Sequence, residues 1–275
     1  VIALLLGLLA CDETPYDASR VSTLRVVAAV ADPPEVTPGD TVSLTVHTAD
    51  PEQRGADVLV WPCSDIGAGC LEATPARPLV TWTDVRRDVD EVERVRFDVP
   101  SVLGDVIADT GPITFLVWVL ACEPGVCPII DAVAAGPEAG SQAWNDVVVQ
   151  LGSPEAWLVD LPMERTSLAV RRVTLSERAV DARNVNPSVT GMSPDLSAVV
   201  GETLNLTFTT DSGVQARFVS TSGGFGGSSL PISLGTLSVR WLAPQVPGNV
   251  DMWVVIDDGI GGSAVWRGEV DVRAN

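Results

Sequence analysis

Gly39-Asp40-Thr41-Val42-Ser43-Leu44-Thr45-Val46 and Gly201-Glu202-Thr203-Leu204-Asn205-Leu206-Thr207-Phe208 are two versions of one phrase. Each opens on a glycine turn and continues with apolar and polar residues in alternation, the period-2 signature of a half-buried strand. Further along, Val95-Arg96-Phe97-Asp98-Val99-Pro100 answers to Val239-Arg240-Trp241-Leu242-Ala243-Pro244. Two strongly apolar runs follow, Ile113 to Leu120 and Met252 to Ile256, and then two closing strands, Ser167 to Val173 and Ala264 to Val270. The order is the same in both halves, which predicts two copies of one β-rich unit instead of a single large sheet.

Short alternating strands separated by turn signals predict an all-β chain of two immunoglobulin-like β-sandwiches in tandem. The expected boundaries are 23–182 for the first domain and 187–275 for the second. Between them Arg183-Asn184-Val185-Asn186-Pro187-Ser188 reads as a short polar linker, ended by a proline that disfavours helix before it. So short a join predicts two sandwiches set end to end with restricted swing.

The first copy is the longer one, chiefly through an insertion at about 121–165, before its last strand. Trp144, Val147, Val148 and Leu151 fall at helical spacing, and Gly152 ends that run. Ser153-Pro154-Glu155 then supplies a cap, a first-turn proline and a carboxylate for a second short helix carrying Trp157, Leu158 and Leu161. One face of this small helical insertion is expected to pack on the sandwich. The other is a candidate partner surface, with Trp144 and Trp157 as candidate stacking platforms for a glycan.

In the second copy, Ser222-Gly223-Gly224-Phe225, Trp241-Leu242-Ala243-Pro244, Pro247-Gly248 and Val255-Ile256-Asp257-Asp258-Gly259-Ile260-Gly261-Gly262 resemble bacterial Ig-like repeats of exported proteins. The resemblance covers residues 187–275 and its residues are structural. Asp258-Gly259 reads as the hairpin turn before the last strand. Asp257 and Asp258 as calcium ligands would need further oxygens that no motif supplies.

The chain opens with Val1-Ile2-Ala3-Leu4-Leu5-Leu6-Gly7-Leu8-Leu9-Ala10, an uncharged apolar run that stops at Cys11-Asp12-Glu13. Ten residues rise only about 15 Å as a helix, too short to span a bilayer, but the run suits the apolar part of a secretory signal. We therefore read 1–10 as a truncated signal peptide and 11–22 as a tether. Leu8-Leu9-Ala10-Cys11 resembles the lipobox of bacterial lipoproteins. That resemblance implies cleavage before Cys11 and acylation of its thiol and amino group, a stable membrane anchor. It also implies export to the cell envelope, and we expect the outer membrane, on its periplasmic face or at the cell surface.

Export places the other four cysteines, Cys63, Cys70, Cys122 and Cys127, in an oxidising compartment that favours disulfides over a zinc site. Four cysteines allow three pairings. If Trp61 and Leu120 end neighbouring antiparallel strands, Cys63 and Cys122 lie at opposite ends of their sheet. The local pairs Cys63–Cys70 and Cys122–Cys127 are then the ones expected.

The 17 basic residues, all arginine, face 36 acidic ones, a formal charge of −19. Such a balance excludes a nucleic-acid backbone binder. At 46% hydrophobic with 8 tryptophans the chain has ample material for a core. The sequence lacks the G-x-S-x-G, H-E-x-x-H and G-x-x-x-x-G-K-[ST] motifs. Its single histidine, His47, reads as a surface strand residue. The cluster from Arg86 to Arg94 reads as a solvated sheet edge. No catalytic residue, metal or cofactor is expected. The function read from the sequence is a non-catalytic, lipid-anchored envelope protein that presents an interaction surface to a protein or glycan partner, as an assembly subunit or spacer. An adhesin-like ligand or glycan-binding module is the alternative, and a hydrolase the outside one.

Overall fold

A computed structural model describes residues 19–64, 84–99, 101, 103–135, 146, 160–191, 195–232 and 235–275. The chain is all-β in architecture, two Ig-like sandwiches with small helices in the first. That copy contains β1 (Arg25–Asp32), β2 (Glu35–Val36), β3 (Thr41–Ala49), β4 (Ala56–Ser64), β5 (Asp84–Val89), β6 (Val92–Asp98), β7 (Ile113–Cys122) and β8 (Thr166–Leu175). A three-stranded sheet, β1-β3-β6, faces a five-stranded one, β2-β8-β7-β4-β5. Leu44, Val58, Val95, Val117 and Val173 meet between them. Alternation places them there, because successive side chains on a strand point to opposite faces.

The second copy contains β9 (Val189–Thr190), β10 (Asp195–Val199), β11 (Thr203–Thr210), β12 (Gln215–Ser220), β13 (Gly224–Phe225), β14 (Ser229–Pro231), β15 (Thr236–Leu242), β16 (Gly248–Asp257) and β17 (Ser263–Arg273). Its sheets are β10-β17-β16-β12-β14 and β13-β15-β11-β9, closed on Phe208, Phe218, Phe225 and Trp241. The matched phrases in the sequence form matched pairs. β3 pairs with β6 as β11 does with β15, and β7 with β8 as β16 does with β17. In each copy the entering chain also serves both sheets. β1 lies beside β3 and β2 runs parallel to β8, just as β9 lies beside β11 and β10 runs parallel to β17.

Two helices are described in the first copy. The run α1 (Leu103–Thr110), which joins β6 to β7, puts Leu103 and Ile107 into the core at i and i+4. Helix α2 (Pro128–Ala134) begins the insertion between β7 and β8, with Pro at the first helical position, where its missing N–H costs nothing. Ile129, Ile130 and Val133 lie against Leu59, Trp61 and Leu120, on the outer face of the five-stranded sheet.

The two sandwiches are not end to end. They lie face to face. Alternation along β16 sends Met252, Val254 and Ile256 into the second core and Trp253 and Val255 out of it. The outward pair packs with Val219 against Val27, Ala28 and Ala49 of the first copy. A register break between Val26 and Ala28 lets β1 feed both sides, with Val26, Ala29 and Ala31 in the first core and Val27, Ala28 and Val30 in the seam. The result is four stacked sheets, with α2 on one outside face.

Candidate functional site

The seam between the sandwiches is built by polar groups as well as apolar ones. Arg267 of β17 donates to both oxygens of Glu91, which sits in the turn between β5 and β6, and to Asp251 Oδ1 at 2.8 Å. Its guanidinium also lies 5.8 Å from the ring centre of Trp253, close enough for a cation–π contact. Hydrogen bonding to Arg267 holds the Glu91 carboxyl below its ordinary value, and the same pair raises the guanidinium. The cluster from Arg86 to Arg94 is therefore more than a solvated edge, since one of its carboxylates bridges the domains.

His47 is not a surface residue either. It lies in β3 beside β1, half-buried, with Nδ1 enclosed and without a hydrogen-bond partner among the described residues. Burial, then the charge of Arg267, lowers its pKa from 6.5 to about 4.

At the opposite end of the seam the linker works as a clamp. Asn186 donates from Nδ2 to Ala31 O at 2.7 Å and accepts from Ser263 N–H at 2.9 Å. The Asn184 N–H donates to Glu35 Oε2, and its side chain donates to Asp258 Oδ2, each at 2.8 Å. Burial would raise the Glu35 carboxyl, but hydrogen bonds from Ser176 and the Asn184 N–H, with the charges of Arg178 and Arg183, hold it low. Asp258 acts as the expected turn residue, accepting from the N–H groups of Ile260 and Gly262. The N-terminal segment is pinned to the second sandwich before it enters β1. Ser19 Oγ accepts from Phe225 N–H, and Val21 N–H donates to Ser220 O, both at 2.8 Å.

Between these anchor points runs a cleft of about 880 Å³. One wall is residues 20–29, the opposite wall is β8 over 166–171, and the second sandwich contributes Arg217, Val255, Asp257 and Ser263. Arg171 crosses from β8 to this wall, donating from Nη1 to Ser263 Oγ and lying 3.7 Å from Asp257. Arg217 shares the same carboxylate at 3.5 Å. Nε and Nη2 of Arg171 are buried without a partner among the described residues. Burial lowers its proton affinity, Asp257 and Asp258 oppose that, and Arg217 adds to it.

Of the residues singled out in the sequence, Cys11, Cys70, Trp144 and Trp157 lie outside the described residues. Cys122 and Cys127 are joined by a disulfide with a Cα–Cα distance of 6.1 Å, which ties the end of β7 to the start of α2. Cys63 lies on β4 opposite Leu116, whereas Cys122 lies opposite Asp57, so the two are at opposite ends of the β4–β7 ladder. The described tryptophan pair on that sheet is Trp61 and Trp118, stacked with ring centres 5.8 Å apart. Trp61 is fully buried beneath α2, a core role.

No family model matches the chain, and no curated protein does. Solved structures match most of it at low similarity. The D0-D1 domain of intimin is 12% identical with a TM-score of 0.25, covering 90% of this chain and 98% of that one. The fibronectin(III)-like modules of Clostridium thermocellum CbhA are 11% identical with a TM-score of 0.29, covering 91% and 94%. The human OSCAR ligand-binding domain is 13% identical with a TM-score of 0.24, covering 89% and 95%. The fold class is carried by the strand topology itself.

Proposed function

We propose that this protein is a non-catalytic, lipid-anchored subunit of the bacterial cell envelope, in which two Ig-like domains form one rigid block that presents an interaction surface. The observation that carries this reading is the seam. Apolar packing around Trp253, the Arg267–Glu91 bridge and the Asn184/Asn186 clamp fix the domains to each other, as a scaffold needs and a flexible string of modules does not.

The placement of the N-terminal segment supports an anchor at Cys11. Ser19 and Val21 bind the second sandwich, so the eight residues from Cys11 to Ala18 are the length of chain between an acylated cysteine and the body. An extended chain of that length spans at most about 29 Å, which would hold the block close to the bilayer. The seam also takes up the one histidine, with its proton affinity pushed too low for base catalysis near neutral pH, in keeping with a protein that holds and does not convert.

Intact-mass and peptide analysis of the native protein tests the anchor: an acylated Cys11 at the N-terminus is expected, and an unmodified, uncleaved leader would overturn it. Capture from detergent-solubilised envelopes tests the scaffold role, with a specific co-purifying envelope protein as the expected result. A hydrolytic activity abolished by a single carboxylate substitution would sink the non-catalytic reading.

A further inference from the structure

We propose that acid parts the two sandwiches at the Glu91–Arg267 end of their seam, with the linker clamp at Asn186 as the hinge, so that the apolar face around Trp253 is covered near neutral pH and uncovered in acid. This device goes beyond the rigid block proposed above and rests on that reading for its docked state.

The first observation is the position of the one histidine. Along β3, Val42, Leu44 and Val46 enter the first core, so alternation turns His47 and Ala49 outward, toward the second sandwich. His47 stands opposite Ala28 of β1 and Val92 of β6, and Ala28 and Ala49 are both seam residues. It is therefore the docked second sandwich that encloses the imidazole. Its Nδ1 has no hydrogen-bond partner among the described residues. The imidazolium carries a proton on both nitrogens, so the docked form would leave one N–H unsatisfied.

The second observation is the charge around it. From the second sandwich, Arg267 acts on the imidazole as a like charge, and Asp251 and Glu269 stand one pair along from Trp253 and Arg267 in the β16–β17 ladder. On the first sandwich, Arg25 stands opposite Ala49 and Arg94 opposite Thr45, each two residues along β3 from His47 and on the same face. The turn between β5 and β6 adds Glu91 and its neighbour Asp90. A proton on His47 places a second cation beside Arg267. A proton on Glu91 removes the anion that holds Arg267 across the seam. Both events favour the parted form.

The third observation is asymmetry. Four residues from Arg267 along β17, Ser263 N–H donates to Asn186, which also donates to Ala31 O of the first sandwich. This joint runs through an amide that does not titrate, so acid loosens one end of the seam and leaves the other tied. Docked, His47 has a pKa of about 4; parted, it returns toward its ordinary 6.5. Between those values only the parted form takes the proton. The ratio of parted to docked molecules should therefore rise about a hundredfold from pH 7.5 to pH 4 through this residue alone.

The test is slow labelling of the full chain with a tryptophan-selective benzyl bromide from pH 7.5 to pH 4, read by peptide mapping and normalised to free tryptophan at each pH. Trp253 is 2% exposed in the seam, and the fully buried Trp61 and Trp241 serve as internal controls. Slow labelling tracks the parted population even where that form is the minor one. Trp253 labelling is expected to rise about a hundredfold by pH 4 while both controls stay protected. His47→Gln and His47→Leu, neither of which titrates, should each cut the rise about tenfold or more.

A rise of less than about tenfold in wild type, or a rise in both His47 variants equal to that of wild type, overturns the proposal. So does labelling of Trp61 and Trp241 in step with Trp253, because the cores would then be unfolding together. Ready labelling of Trp253 at pH 7.5 would sink the docked block as well, whereas the other outcomes leave it standing.

Discussion

Arg267 in β17 grips Glu91 of the other sandwich through both carboxylate oxygens, with the contact to Oε1 at 2.7 Å. Glu91 is 52% exposed, so the pair orients the seam more than it stabilises it. Glu91→Gln is expected to cost about 0.5–1 kcal/mol in denaturant unfolding. Raising the salt to about 1 M should largely erase the difference between mutant and wild type.

The apolar part of the seam is expected to matter more. Ala28 is buried against the second sandwich and faces away from the first core. Ala28→Glu forces a larger, charged side chain between the packed faces, across from His47, a cost of several kcal/mol that falls on the seam and spares both cores. Small-angle scattering should show a longer particle, and calorimetry two unfolding transitions in place of one. A single transition with unchanged dimensions would mean that the domains do not depend on this face.

His47 makes the block acid-sensitive. Its pKa of about 4 in the folded protein lies below the ordinary 6.5. Between those values the unfolded chain binds a proton that the folded one refuses, so stability falls as the pH drops through this window. The loss from this residue should be on the order of 2–3 kcal/mol by pH 4. Glu91, held low by Arg267, adds to the loss once the pH falls below its ordinary 4.5. Denaturant unfolding across this range should show a shallower slope for His47→Gln than for wild type.

Gly223 carries a backbone requirement that few other positions share. Its φ is +66°, and an added Cβ would sit 2.4 Å from Leu242 O. Gly223→Ala should cost more than about 2 kcal/mol, since it combines left-handed backbone with a clash against main chain. Gly39→Ala has φ +91° but nothing within 4 Å, and should cost about 1 kcal/mol. Thermal unfolding of the two variants side by side checks the ranking.

Cys63 and Cys122 are separated by six residues along the β4–β7 ladder, about 20 Å, far beyond the reach of a disulfide. Non-reducing peptide mapping should join Cys122 to Cys127 and never to Cys63. Replacing both Cys122 and Cys127 by serine closes no loop and should cost less than the ~3 kcal/mol of a 15-residue loop.

Within each sandwich the strand pattern was readable from one dimension. Alternation in Thr41–Val46 and Thr203–Phe208 sets which side chains face a core, and a repeated order of such phrases sets the copy number. Helix α1 is not legible there, because Leu103 and Ile107 make only one turn of periodicity, too little to stand out from a loop. The seam leaves a trace in the sequence. Val26-Val27-Ala28-Ala29-Val30-Ala31 and Trp253-Val254-Val255-Ile256 are apolar without alternation, the mark of a strand buried on both faces. That mark does not say which faces meet, and the short linker, which predicts an end-to-end arrangement, instead folds the domains face to face.

Local order thus came from the sequence, because side-chain alternation and turn chemistry act over a few residues. Which outer faces meet, that Glu91 finds Arg267 and that His47 is enclosed beside it were decided only in three dimensions. Those contacts join residues more than a hundred positions apart, and no short-range pattern encodes a pairing of that kind.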